Sequence, residues 1–158
     1  MNLFGVMDVS GSAMQAERMR AEVVSANMAN AETTRTESGG PYHRQMVVFA
    51  ANPTDPTFLD TFHGAQSVNA ATSSARSDSE VPGGVHVAAV VEDPAAPLKR
   101  YDPGHPDAGA DGYVSYPDIN PLTEMVDLMG ATRAYGLNGS AVQAAKGMIS
   151  SALEIARS

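Results

Sequence analysis

The chain contains no cysteine. That excludes disulfides, thiol catalysis and zinc sites built on thiolates. Basic residues are scarce as well: ten Lys and Arg stand against eighteen Asp and Glu, for a formal net charge of -8. No basic cluster exceeds the pair Lys99-Arg100, so no face is available for a phosphate backbone, and nucleic acid is not expected as a partner. No segment approaches the ~20 apolar residues of a membrane span. The opening residues MNLFGVMDVS lack the basic region and apolar core of a secretory signal, so passage out of the cytoplasm would use another route. Chemistry-bearing constellations are missing too. The histidines His43, His63, His86 and His105 are scattered without metal-ligand spacing. The stretch from Asp107 to Gly112 has no acidic residue where a calcium loop needs its bidentate ligand. Neither a phosphate loop nor a nucleophile elbow occurs. The expectation is therefore no enzyme, no cofactor, no metal and no small-molecule substrate. A metal-dependent site around His105 and Asp111 is the remaining enzymatic alternative.

What the chain does have is length and pattern. Its 158 residues suggest one domain, able to bury roughly two-thirds of its unfolded surface. Residues 1 to about 31 read as a helix. Met7, Met14, Ala21 and Met28 fall seven apart, and Ala16, Met19, Val23 and Ala26 form a second stripe. Ser10, Gly11 and Ser12 interrupt both early. The segment S-A-N-M-A-N-A-E-T, Ser25 to Thr33, places Asn27 and Asn30 at the helix end, where asparagine commonly caps through the αL conformation or its side-chain amide.

The C-terminal region is the more regular. Asn120-Pro121 predicts an N-cap followed by proline at the first helical position. Glu124 and Asp127 sit in the early turns, where the helix dipole favours anions. Leu128, Tyr135, Val142, Ile149 and Ala156 recur at spacing seven; Ala131, Asn138, Ala145 and Ala152 recur three residues after each of the first four. This is a seam of large residues at one position and small ones at the other. The two terminal helices would be roughly 45 and 55 Å long. Gly130, Gly136, Gly139 and Gly147 each cost ~1 kcal/mol relative to alanine inside a helix, so the second helix would be marginal alone.

Between the helices the period changes. Tyr42 to Phe49 and Val85 to Glu92 read as strands, Leu98 to Tyr101 as a short third, and D-G-Y-V-S-Y as a further edge after an Asp-Gly turn. The stretch 51–84 is rich in Ala, Ser, Thr, Asp, Asn and Pro and reads as a mobile insertion. The expected class is α+β: long N- and C-terminal helices packed as an antiparallel coiled-coil-like pair, with a small β-rich module between them. The expected parts are 1–35, 36–118 and 119–158, the two helices forming one core.

Several motifs, in order, resemble the bacterial flagellar rod, hook and related axial proteins. Asn27-Met28-Ala29-Asn30-Ala31-Glu32-Thr33 is similar to the family's N-L-A-N-A-x-T signature. Pro41 to Phe49, followed by Gly83-Gly84-Val85, resembles a rod subunit's P-Y-R-R-x-x-V-V-F strand and its continuation. Tyr101 to Pro106, then Asp111 to Val114 and Tyr116-Pro117, resemble its Y-x-P-G-H-P and G-Y-V-x-x-P segment. Glu124-Met125-Val126, Met129, Ala131, Arg133-Ala134-Tyr135, Asn138, Lys146 and Met148 match its last helix. Gly136-Leu137 stands where relatives usually carry Glu-Ala. The resemblance implies a structural subunit of the proximal rod in the flagellar basal body. It would be exported through the flagellar type III apparatus and assembled in the periplasm with copies of itself and other rod subunits, between the MS-ring and export-gate side and the distal rod. Its terminal helices would line the inner tube. The residues expected to mediate subunit packing are Met7, Met14, Met28, Asn27, Asn30, Leu128, Tyr135, Asn138, Val142 and Ile149, with the asparagines fixing register between chains. The competing reading is a soluble helical adaptor or chaperone of a type III secretion system.

Overall fold

A computed structural model describes residues 3–52 and 83–157. The expected mobile insertion lies outside the described residues except at its ends, which are ordered: Ala51 closes a strand, and the Asn52 amide donates to the Gly84 carbonyl at 2.8 Å. The element order is α1 (Leu3–Ala29), β1 (Gln45–Ala51), β2 (Val85–Glu92), β3 (Leu98–Tyr101), β4 (Tyr113–Tyr116) and α2 (Pro121–Arg157). This is the α+β arrangement of two long terminal helices around a small antiparallel β module.

Helix α1 runs straight through Ser10-Gly11-Ser12. The Ser12 hydroxyl donates to the Val9 carbonyl at 2.8 Å and accepts the Val85 amide at 3.1 Å. A residue that weakens the apolar stripe thereby ties the helix to the start of β2. Helix α2 starts as its sequence dictates. Asn120 Oδ1 accepts the Leu122 amide at 3.0 Å and the Asn120 carbonyl accepts the Glu124 amide at 3.1 Å, which satisfies donors that every helix N-terminus leaves open.

The strands form two ladders, β1 with β2 and β3 with β4. In the second, Leu98 faces Tyr116 and Tyr101 faces Tyr113 in antiparallel register. The hairpin is fastened by side chains: Tyr101 and Tyr113 meet edge to face at 5.3 Å, and the Arg100 guanidinium lies 4.3 Å over the Tyr116 ring. Gly112 has φ +76°, and a Cβ there would sit 2.8 Å from the Tyr101 ring, so the Asp-Gly turn admits no larger residue. Val114 is buried and forms the inner face of the hairpin.

Strand β1 begins at Gln45, not at Tyr42 as the sequence suggested. Tyr42 to Arg44 are diverted before the ladder starts. The Tyr42 amide donates to the Thr33 carbonyl, and the Arg44 carbonyl accepts the Asp93 amide at 2.7 Å.

By compactness the chain has two units. One, the junction unit, holds residues 17–48 and 87–135. The other, the terminal unit, is built on the described parts of 1–16, 49–86 and 136–158. In the junction unit the helices run antiparallel, since Arg20 reaches Asp127 while Asn27 reaches Glu124. The buried apolar residues are few and mostly small: Ala16, Val23, Val24, Val114, Ile119, Ala131 and Ala145. Of the α1 members, Ala16 and Val23 belong to the second stripe that periodicity picks out, and Val24 lies beside the first. Met19, from the second, is 40% exposed.

Candidate functional site

The most ordered chemistry in the chain is a polar junction where α1, the strand entry and α2 meet. Its centre is Asn27, with no exposed surface. Asn27 Nδ2 donates to the Gln45 carbonyl at 2.8 Å, and Asn27 Oδ1 accepts the Gln45 amide at 2.9 Å. A side-chain amide here exchanges two hydrogen bonds with a peptide unit, as a neighbouring strand would. The same Nδ2 donates to Glu124 Oε2 at 3.1 Å, and Oδ1 accepts the Tyr42 hydroxyl at 3.2 Å. Two donors and two acceptor sites are all that a primary amide offers. A helix-disfavouring residue is held in the last turns of α1 by complete satisfaction of its side chain.

Glu124 is the second buried member, 1% exposed. Arg44 brings both Nε and Nη2 to Glu124 Oε1, each at 2.7 Å. Arg44 Nη2 also lies 3.8 Å from Asp127 Oδ2, and Arg20 Nη2 meets Asp127 Oδ1 at 3.3 Å. Charges therefore alternate from Arg20 to Asp127 to Arg44 to Glu124, crossing from α1 through α2 to the strand entry. An unpaired carboxylate at this depth would be strongly destabilising, so Glu124 and Arg44 require each other. The Tyr42 hydroxyl has its pKa raised above 10.0 by burial, then by the negative charges of Glu92 and Glu124. It stays protonated and acts as a donor.

Asn30 has a different task. Its Nδ2 donates to the Ala26 carbonyl at 2.9 Å, and its Oδ1 accepts the Thr33 hydroxyl at 3.1 Å. The Asn30 amide bonds the same Ala26 carbonyl at 3.1 Å. This is side-chain capping without a left-handed residue: among the described residues, positive φ occurs only at glycines. The αL cap expected for Asn30 is replaced by an amide folded back on the last turn. Asn27, also expected to hold a late helix carbonyl, instead reaches the strand entry.

The residues expected to mediate packing separate into groups. Asn27 is committed to the chain's own strand and helix, so the register it fixes in this structure is internal. Met7, Met14 and Met28 on α1 are half-buried, as are Leu128, Asn138, Val142 and Ile149 on α2. Tyr135 is 43% exposed. At the companion position Ala131 and Ala145 are almost fully buried. Along the small set of the repeat, Ala131 and Ala145 are covered while Ala152 is exposed, and the large set is half open. Arg20, Tyr42, Arg44 and Asp127 escaped sequence reasoning as junction members. The available signal was an arginine set just before an apolar strand and a glutamate in the first turn of a long helix, two charges with no local partner.

Among the described residues, the sequence-suggested site around His105 and Asp111 is taken up by its own turn. His105 is held in its turn, with its ring Nδ1 accepting the Asp107 amide at 3.1 Å, and Asp111 accepts the Tyr113 amide at 3.4 Å. No group of three or more metal-ligating side chains occurs among the described residues. No described helix is long and apolar enough to cross a membrane.

Comparison with known proteins gives this junction a context. The chain is 40% identical over 162 residues to the flagellar basal-body rod protein FlgC of Bacillus subtilis, covering 99% of this chain and 100% of that one. It is 38% identical over 160 residues to FlgC of Borreliella burgdorferi, with 98% of each covered. It is 34% identical over 149 residues to FlgC of Salmonella typhimurium, with 94% of each covered. The chain belongs to the FlgC family of flagellar basal-body rod proteins. It is a structural subunit of the basal-body rod. Two family profiles also match, one described as flagella basal body rod protein over residues 7–35, the other as the C-terminal part of flagellar basal body rod FlgEFG proteins over residues 110–155. The junction draws on both: Arg20, Asn27 and Asn30 lie in the first, Glu124 and Asp127 in the second. Arg44, which joins them, lies in neither.

Proposed function

We propose that this chain is a proximal-rod subunit with a mechanical rather than catalytic role. It joins the MS-ring and export-gate side of the basal body to the distal rod, in contact with copies of itself and with other axial subunits. It reaches the periplasm unfolded through the flagellar type III apparatus. The observation that carries this reading is the coupling of the two profile-matched helical segments through one buried polar junction. A rod element under torsion needs its terminal helices locked to each other and to the outer β module, and Asn27, Arg44 and Glu124 supply that lock by directional bonds. The glycine content of α2 suits export, because a helix weakened by ~1 kcal/mol at each of several positions unfolds readily. Met7, Met14, Met28, Leu128, Tyr135, Val142 and Ile149 then contribute apolar contact to neighbouring helices through many small increments, with Asn138 a polar group among them.

The test is genetic and biochemical. Cells lacking this chain should be non-motile and build no rod beyond the inner ring, and a tagged copy should be recovered in isolated basal bodies. Motile cells with complete rods in its absence would contradict the proposal. Recovery only in a soluble complex of fixed low stoichiometry would favour the adaptor reading instead.

A further inference from the structure

Within the junction unit, an open cleft of about 600 Å³ lies between the loop that follows α1 and the β3–β4 hairpin. Its volume falls in the range of small-molecule sites. Both walls are fixed by the chain itself. In the loop, the Thr36 amide donates to the Gly40 carbonyl at 2.9 Å and the Gly39 amide to the Thr36 carbonyl at 3.1 Å. Thr34 Oγ1 donates to Asp107 Oδ2 at 2.8 Å, and Arg35 Nη1 lies 3.7 Å from Asp107 Oδ1, so the loop is tied to the hairpin turn. The Gly109 amide donates to the Tyr113 carbonyl at 3.0 Å. A Cβ at Gly109 would stand 2.6 Å from Asp111 Oδ1, so the turn lies close along β4.

Between these ties the cleft presents open groups. The Lys99 ammonium and the hydroxyls of Tyr113 and Ser115 line it and have no hydrogen-bond or ion partner among the described residues. Lys99 faces Ser115 in the ladder and Tyr101 faces Tyr113, which puts these four side chains on one face of the hairpin. Val114, on the opposite face, is buried, whereas Tyr113 is 46% exposed. Its ring is held edge to face by Tyr101 at 5.3 Å. The charges along the cleft cancel, Arg35 and Lys99 against Asp107 and Asp111. An anion would meet both carboxylates, and a cation both basic groups. No group of three or more metal-ligating side chains occurs among the described residues. An apolar ligand would strip water from these polar groups without replacing its hydrogen bonds. What matches the lining is a neutral molecule, rich in hydroxyls, with an apolar face to set against Tyr113.

We propose that this cleft binds a neutral sugar chain. The C–H face of one ring lies on Tyr113. Hydroxyls of the adjoining rings donate to the Asp107 and Asp111 carboxylates and accept from Lys99 and Arg35. A carboxylate only accepts, a basic side chain only donates, and a sugar hydroxyl does both. A balanced set of the two therefore reads hydroxyls without calling for ligand charge. Because the cleft is open, it suits an internal stretch of a polymer rather than one enclosed ring. The proposal goes beyond the rod reading: a subunit with this site carries a glycan-contacting surface beside its mechanical lock. Every residue involved belongs to one copy, so failure of the proposal would leave the rod reading untouched.

The test is an NMR titration of the nitrogen-15-labelled full-length chain with cellotetraose and, separately, with chitotetraose. At least one sugar should give saturable shifts at the amides of Arg35, Lys99, Tyr113 and Ser115, with those around Asn27 unmoved. The sugar that responds tells a plain hexose chain from an N-acetylated one. Lys99 is exposed and without a partner, so Lys99→Ala should keep the fold and weaken binding about fivefold or more. Tyr113→Ala should weaken it about tenfold, and Tyr113→Phe, which keeps the ring, by less. No saturable shift with either sugar would overturn the proposal, as would shifts centred away from the cleft. Affinity unchanged in Lys99→Ala would overturn it too, and that variant decides alone if Tyr113→Ala disturbs the hairpin.

Discussion

The junction unit and the terminal unit solve opposite problems with the same two helices. The side-chain polar atoms of Asn27 and Glu124 all find partners inside the chain, although both side chains are buried. Among the described residues from Gly136 onward, only Ala145 is fully buried, and the helix keeps glycines with empty space around them. The first region is complete in one copy. The second is left unfinished, with large apolar side chains on view. A subunit that becomes part of a shaft has reason to be made this way. One part defines the fold, and the other responds to neighbours.

The sharpest way to break the comparison is to attack the finished region. Glu124→Ala empties a buried site and leaves the half-buried Arg44 with only the Asp127 carboxylate, 3.8 Å away; it should destabilise the chain by about 3–5 kcal/mol, measured by urea unfolding. A loss below 1 kcal/mol would mean that the junction is not what holds the helices. Next comes Asn27→Ala, which strands both Gln45 backbone groups and the Tyr42 hydroxyl; a cost of about 2–4 kcal/mol is expected. Asn30→Ala removes only a cap and should cost about 1 kcal/mol. If the two asparagine variants proved equally costly, the distinction drawn between clamp and cap would be wrong.

In the unfinished region the sign reverses. Gly136→Ala should raise monomer stability by up to about 1 kcal/mol, because alanine is the better helix former and no atom blocks its methyl. Circular dichroism with thermal melting reads this directly. The smallest effect concerns pH. The folded-state pKa of Tyr42 lies above its ordinary 10.0, so the folded chain retains a proton that the unfolded chain releases. Its contribution to stability is full below pH 10 and is lost as pH rises above that value. Tyr42→Phe should remove that part of the alkaline slope while weakening the junction only slightly.

Much of this architecture was legible beforehand. Asn120-Pro121 announced the start of α2, and the alternation in Val85 to Glu92 and the short Leu98 to Tyr101 run gave two strands at their observed limits. These are local signals, set by capping chemistry and by a period of two. The start of β1 was not legible, because Tyr42 to Arg44 have strand-like character but are recruited by partners far along the chain. The junction was hidden for the same reason: Arg44 and Glu124 are 80 residues apart. Periodicity marked a repeating face on α2. It could not say which side the chain itself would cover, since a repeat marks a face without naming its neighbour. Asn30 was legible as a cap by residue type, while its geometry depended on Ala26 and Thr33.

The central claim, one finished region and one completed by neighbours, is tested most directly by amide hydrogen exchange on the dilute monomer and on the assembled rod. The account predicts that amides near Asn27 and from Glu124 to Ala131 are protected in both states. Those from Gly136 to Arg157 should exchange rapidly in the monomer and become protected only on assembly. Strong protection of Gly136 to Arg157 in the dilute monomer would contradict it.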